Sequence, residues 1–245
     1  MQEVLNVAGY RFAPVADPAA LQGRLHAAAS AVSLKGTVLL AHEGVNLSLA
    51  GSPKGVESFL GVLRAEPGFT GFEVKRSTSA HVPFRKLVVK AKREIIRMDQ
   101  PAIVPHDGRA PAVESRTLQR WLDQGHDDEG RPVVTLDTRN GFEVDCGTFE
   151  GAIDWRLNKF SDFPNALREH AGELAGKTVV SFCTGGIRCE KAALAMQAAG
   201  VQHVWQLEGG ILKYFEETGG AHFHGRCFVF DGREELDAAL VPRKP

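Results

Sequence analysis

The chain is 245 residues long, 43% hydrophobic and 24% charged, with a formal net charge of −1; this fits a folded protein of one or two domains and excludes a polyelectrolyte that binds polyanions through overall charge. No run of about 18 apolar residues is present to span a bilayer, and the opening MQEVLNVAGYRF lacks the basic-then-apolar pattern of an export signal. Four cysteines with no CxxC pair (Cys146, Cys183, Cys189 and Cys227) argue against a disulfide framework or a zinc ribbon, and the expectation is a cytoplasmic protein with one reactive thiol.

Residues 2–12 carry apolar positions suited to a first strand. Asp17 and Pro18 read as the N-cap and first position of a helix that continues from Ala19 to Val32. Thr37–Leu40 is a buried strand, His42-Glu43-Gly44 a turn and Val45–Ala50 a second strand, which together make a hairpin. Ser52-Pro53 opens another helix with Val56, Phe59, Leu60 and Leu63 on its apolar side. Strands are expected around Phe72–Arg76 and Lys86–Lys92. The order strand, helix, hairpin, helix, strand, strand predicts a ferredoxin-like or acylphosphatase-like α/β sandwich over residues 1–97. Its last third is basic: between Lys75 and Arg97 stand eight Lys/Arg residues and one acid, Glu94. Such a strip suits a docking surface for a polyanion; the alternative is a solvated strand face.

Residues 98–112 hold three prolines and read as a linker. A second domain over residues 113–226 follows. It begins with a short helix at 113–123 that turns Leu118 and Trp121 inward. A strand Val133–Leu136 ends at Asp137, and a helix covers 163–174. Next come a buried strand Thr178–Phe182, a helix over 190–199 ended by Gly200, a strand His203–Leu207 and a helix over 211–218. Strands alternating with helices predict a parallel sheet with helices on both faces. Residues 227–245 are left as a C-terminal tail.

The chemistry concentrates in TVVSFCTGGIRCEKAALAM, residues 178–196. An apolar strand stops at Cys183, Arg188 follows five positions on, and a helix starts at once. Ligands of parallel sheets bind at the carboxyl ends of strands. Thr184, Gly185 and Gly186 allow the backbone to curl with its N–H groups turned toward the sulfur, and such a nest at a helix start favours an anion. The thiol should therefore ionise easily, and Arg188 adds a fixed positive charge. The alternative is a buried, inert cysteine at a strand end.

Cys183-Thr184-Gly185-Gly186-Ile187-Arg188 resembles the six-residue active loop of rhodanese-like domains, in which the cysteine carries sulfur as a persulfide. The related phosphatase loop is one residue longer and would need arginine at position 189, where this chain has Cys189. The likeness widens through Leu136–Asn140 and Gly147–Ala152, the segments Gly36–Ala41 and Glu43–Asn46, then Glu208–Ile211 and Cys227–Asp231. Over almost the whole chain it is similar to the bacterial rhodanese-like tRNA uridine hydroxylases. That resemblance implies oxygen-dependent conversion of the wobble uridine of tRNA to 5-hydroxyuridine, with dioxygen as co-substrate and Cys183 as the persulfide-forming residue. Plain sulfur transfer to a thiol or nucleic-acid acceptor, fed by a low-molecular-weight sulfur donor, is the alternative activity; a noncatalytic RNA- or protein-binding module is a third. Members of the family often continue past the Cys227–Asp231 segment into a cysteine-rich tail, which is not seen here.

Around the loop, Asp137 and Arg139 are expected at the same sheet edge as Cys183, chiefly as a structural ion pair. Asn140 and Glu143 are expected near substrate. Cys189 begins the helix, with its side chain expected to point away from the loop; the other reading is that it resolves a modified Cys183. No metal set is identified: His222, His224 and Cys227 lack a fourth ligand. No resident cofactor is identified either, since the chain has no GxGxxG, Walker A, HExxH or GxSxG segment. Lys86, Lys90, Lys92 and Arg93 are candidate phosphate contacts for tRNA, and Phe72 or Phe84 candidate stacking residues.

Overall fold

Val4–Phe12, rich in β-branched, aliphatic and aromatic residues, forms the first strand in the computed structural model of the chain, which describes residues 3–243. The chain divides into two units, Met1–Arg97 and Met98–Pro245.

The first unit runs β1 (Val4–Phe12), α1 (Pro18–Ala31), β2 (Lys35–Ala41), β3 (Gly44–Gly51), α2 (Pro53–Ala65), β4 (Lys75–Ser79) and β5 (Leu87–Ala91). Both helices start as their sequences dictate. Asp17 accepts the Ala20 N–H at 2.9 Å and Ser52 the Gly55 N–H at 3.1 Å, each followed by a proline that needs no donor. The sheet order is β4-β1-β3-β2-β5, with β2 and β5 parallel and the other pairs antiparallel. Leu21 and Leu25 of α1 and Val56, Phe59, Leu60 and Leu63 of α2 pack with Val38, Leu40, Leu47 and Leu49 in one core.

Two expectations for this unit change. The strand expected around Phe72–Arg76 lies at Lys75–Ser79, because Phe72 turns inward and is wholly buried in the core; it has no face left for a nucleobase. The basic strip also divides. Lys75 and Arg76 belong to β4 and Lys86–Arg93 to β5 and its flanks, and these strands form opposite edges of the sheet, about 19 Å apart. The outer edge of β5 is occupied: the Gln22 side chain donates to the Val89 carbonyl at 3.0 Å and accepts the Ala91 N–H at 3.1 Å.

The second unit begins with β6 (Ala112–Val113), α3 (Ser115–Gln124), β7 (Val133–Asp137), α4 (Gly141–Val144), β8 (Gly147–Phe149), β9 (Ile153–Asp154) and α5 (Phe163–His170). It continues through β10 (Thr178–Phe182), α6 (Ile187–Ala198), β11 (His203–Leu207), α7 (Gly210–Thr218), β12 (Phe223–Gly225), β13 (Cys227–Phe228) and β14 (Glu235–Leu236). A parallel five-stranded sheet in the order β6-β11-β10-β7-β9 organises it. The central strand β10 is buried at every position, as expected of a strand covered on both faces. Val180 and Phe182 pack with Leu118 and Trp121 of α3 and with Ile211, Tyr214 and Phe215 of α7. The helix expected over 163–174 is α5 followed by a 3-10 turn, Ala171–Leu174. The described part of the expected tail is packed structure: β13 pairs with β14, and Cys227, Val229 and Leu236 are buried. No helix among the described residues is long and apolar enough to cross a membrane.

Candidate active site

Cys183 directly follows the central strand, at the carboxyl end of the sheet. Residues 184–186 turn through a tight loop, and Gly186 takes φ +102°, a conformation that costs glycine little. This turn aims the Gly186 N–H at Cys183 Sγ, 3.1 Å away. The Arg188 amide and the Cys189 thiol also favour the anion on that sulfur. Burial of Cys183 is complete and opposes ionisation more than any other single influence. The Cys189 thiol, the Arg188 charge and the two amides outweigh it together, and Cys183 titrates well below the usual thiol range. The surroundings are thus polar donors and not the apolar packing of an inert cysteine.

What arranges the loop is α7. The Ile211 N–H donates to the Cys183 carbonyl at 3.0 Å and the Leu212 N–H to the Thr184 carbonyl at 3.2 Å. With the carbonyls bound on that side, the amides are free to face the sulfur. This contact demands glycine at 210: φ is +67°, and a Cβ there would meet the Cys183 carbonyl oxygen at 2.4 Å.

Arg188 is nearly buried and forks onto Glu143, with Nη1 to Oε2 at 2.6 Å and Nη2 to Oε1 at 2.8 Å. Glu143 is fully buried, accepts the Asn140 N–H at 3.1 Å, and so caps α4 while fixing the guanidinium. Glu143 therefore does not face substrate as expected: its carboxylate is used up by Arg188 and the helix start. The pair holds Arg188 charged near the sulfur.

Asp137 and Arg139 form a second buried ion pair, Arg139 Nη2 to Asp137 Oδ2 at 2.6 Å. Arg139 also donates to the Gly147 carbonyl at 2.6 Å, and Thr148 Oγ1 to Asp137 at 2.8 Å. Both side chains thereby tie β8 to the end of β7, a structural role. Cys189 departs from expectation. Its side chain lies next to Cys183 and 3.9 Å from Thr138 Oγ1, and is held protonated by burial and by the neighbouring Cys183. The reason is that first-turn side chains of a helix tilt back toward its N-terminus. Cys227 is buried with its thiol pushed up to about 12, chiefly by burial. Cys146 is half-buried and also raised, chiefly by burial. His222 engages Asp123, and His224 lies near Glu150.

In the first unit, Arg85, Lys86, Lys90, Lys92 and Arg93 are exposed along the β5 edge. Val89 faces the core, so alternation places Lys90, with Lys86 and Lys92 beside the strand, on the face away from the helices. Arg76, on the other edge, is engaged by Glu57. Phe84 is half-exposed. A shallow cleft of about 640 Å³ lies beside Lys92 and Arg93, lined also by Asp17, Pro18 and His42.

Comparison with known proteins places these features together. Residues 4–95 match the family described as UPF0176 acylphosphatase like domain, and residues 116–217 the Rhodanese-like domain. The tRNA uridine(34) hydroxylase of Variovorax paradoxus (strain S110) is 61% identical over 243 residues, 99% of this chain and 92% of that protein. The protein of the same name from Bordetella pertussis is 61% identical over 99% of this chain and 100% of its own length, and that from Bordetella avium is 62% identical over 98% and 99%. Among solved structures, a rhodanese-like domain from Anabaena sp. is 19% identical with a TM-score of 0.38, covering 47% of this chain and 80% of that one.

Proposed function

The chain belongs to the family of tRNA uridine(34) hydroxylases, and we propose that it hydroxylates this uridine of tRNA at C5 with Cys183 as the reacting group, one atom of dioxygen entering the base and the other leaving as water with two electrons from an external reductant. The observation that carries the reading is the Gly186 N–H aimed at the Cys183 sulfur at 3.1 Å, at a helix start whose Arg188 guanidinium is fixed by Glu143 and whose Arg188 amide and Cys189 thiol also favour the anion. Such a set stabilises a sulfur anion before any substrate arrives, so little reorganisation is needed when charge develops there. Arg188 cannot give up its proton in this setting, since Glu143 holds it charged.

The burial of Cys183 favours a persulfide as the working form. A second sulfur, taken by the Cys183 thiolate as sulfane sulfur from a low-molecular-weight donor such as thiosulfate, with sulfite leaving, extends the reactive atom about 2 Å outward, toward the half-exposed Thr184 and Ile187 at the mouth of the loop. The target base must leave its stack to meet it, as bases do in other enzymes that act on them. Lys86, Lys90, Lys92 and Arg93 supply the phosphate contacts that hold the RNA; their exposure on one edge and the lack of sequence readout in such contacts fit this role.

Nucleoside mass spectrometry of tRNA from cells whose only copy is wild type or Cys183→Ser tests the reading. Loss of 5-hydroxyuridine and its derivatives in the variant is expected, because the serine hydroxyl does not ionise in this range. Wild-type levels with Cys183→Ser overturn the role of the thiol. Loss of a thiolated nucleoside with 5-hydroxyuridine intact overturns hydroxylation in favour of sulfur transfer.

A further inference from the structure

The loop chemistry leaves one feature of the second unit unused. Phe142, Phe228 and Phe230 meet edge to face, with ring centroids 5.2 Å apart for Phe142 and Phe228, 6.4 Å for Phe142 and Phe230, and 5.1 Å for Phe228 and Phe230. Phe142 is 48% exposed and Phe230 64% exposed. Of the 14 phenylalanines these two are the exposed ones, and they touch the same third ring. Scattered apolar side chains at a surface need no explanation, but a contiguous cluster of rings does.

The cluster stands at the lip of the cysteine loop. Phe142 immediately precedes Glu143, the residue that holds Arg188. The Phe228 carbonyl accepts the hydroxyl of Thr184 at 3.3 Å, and Thr184 is the neighbour of Cys183. The rings are also held in place. The Val229 N–H donates to the Glu234 carbonyl at 2.8 Å, closing the turn that carries Phe230. Asp231 accepts the Arg233 N–H at 2.9 Å and two guanidinium bonds at 2.8 and 2.6 Å, which stiffens that turn from within.

We propose that Phe142, Phe228 and Phe230 form a stacking platform for the unpaired bases flanking the target uridine, and so position the RNA loop over Cys183. This rests on the function proposed above. Aromatic faces bind unpaired bases without regard to their identity, at about 1–3 kcal/mol per base. The planes of Phe142 and Phe230 are nearly perpendicular, at 89°, so bases stacked on these two exposed rings could not also stack on each other. That geometry fits a loop with one nucleotide drawn out between them. Phe228 is the half-buried buttress.

The test is binding of an anticodon stem-loop RNA bearing the unmodified uridine, by fluorescence anisotropy, to the full chain. Phe142→Ala and Phe230→Ala should each weaken Kd by roughly 5- to 150-fold, the equivalent of about one lost stacked base. Phe230→Leu should weaken it nearly as much, and Phe230→Tyr should bind like wild type, because the flat face matters and not the apolar bulk. Wild-type affinity in Phe230→Ala, or in Phe230→Leu, overturns the proposal. So does an unchanged Kd with a change of oligomeric state in the Phe142→Ala, Phe230→Ala double variant, which would make the rings an interface between copies. If these variants bind normally while wild type still makes 5-hydroxyuridine, the platform fails and the function stands; if wild type neither binds the RNA nor modifies it, both fail.

Discussion

Replacing Glu143 with glutamine removes one charge from a fully buried position and keeps the shape of the side chain. Wild-type Glu143 takes two short bonds from Arg188 and one from the Asn140 N–H. Glutamine keeps one acceptor but turns an NH2 group toward the guanidinium. Arg188, itself only 6% exposed, then loses its one hydrogen-bonded counter-ion and keeps only the more distant charges of Cys183 and Asp137. Breaking a buried pair by removing one partner costs about 3–5 kcal/mol. With an unfolding slope of roughly 2 kcal/mol/M in urea, the midpoint for the second unit should fall by about 2 M. Urea unfolding followed by tryptophan fluorescence reads this directly, because all three tryptophans, Trp121, Trp155 and Trp205, lie in that unit. A companion variant, Glu143→Leu with Arg188→Met, separates structure from chemistry. Replacing both charges by apolar groups of similar volume is often close to neutral for stability. The companion should recover most of the lost midpoint and remain inactive, since the guanidinium beside Cys183 is gone. A midpoint for Glu143→Gln within about 0.3 M of wild type, or an active companion, refutes the account of the pair.

Cys189→Ala deletes a donor to the Cys183 sulfur, so the Cys183 pKa rises. Because a lowered thiol pKa means thiolate is present above that value and lost below it, the onset of thiolate ultraviolet absorbance and of activity should both move to higher pH; an unmoved onset shows that the Cys189 thiol does not stabilise the anion. Lys90→Glu with Lys92→Glu should weaken tRNA binding and reduce the slope of log Kd against log salt by about 1.5, and an unchanged slope removes the β5 edge from the RNA path.

The active loop was legible because its chemistry is local. A strand end, two glycines, an arginine and a helix start lie within eleven residues, and each has one physical meaning. The first unit was legible for the same reason: Asp17-Pro18 and Ser52-Pro53 mark helix starts whatever lies around them. The partner of Arg188 was not. Glu143 is 45 residues away in sequence, and nothing local separates a loop carboxylate near substrate from the buried counter-ion of a distant arginine. The α7 contact was hidden likewise, since nothing in Glu208-Gly209-Gly210 says which carbonyls the next helix will meet. Cys189 misled because position along the helix was read without the backward tilt of side chains. The basic strip misled because sequence neighbours, β4 and β5, were separated by three intervening strands.

Gln22 gives the β5 edge a further property. A strand at the rim of a sheet normally offers its peptide groups to any extended chain that comes near, and such sites gather peptides or aggregate. Here one amide side chain has already taken the Val89 carbonyl and the Ala91 N–H. A visitor to this rim therefore finds ammonium and guanidinium groups beside a backbone ladder already filled at two of its positions. A polypeptide strand would have to displace Gln22 to extend the sheet here, whereas a phosphodiester chain would meet the exposed cations without doing so.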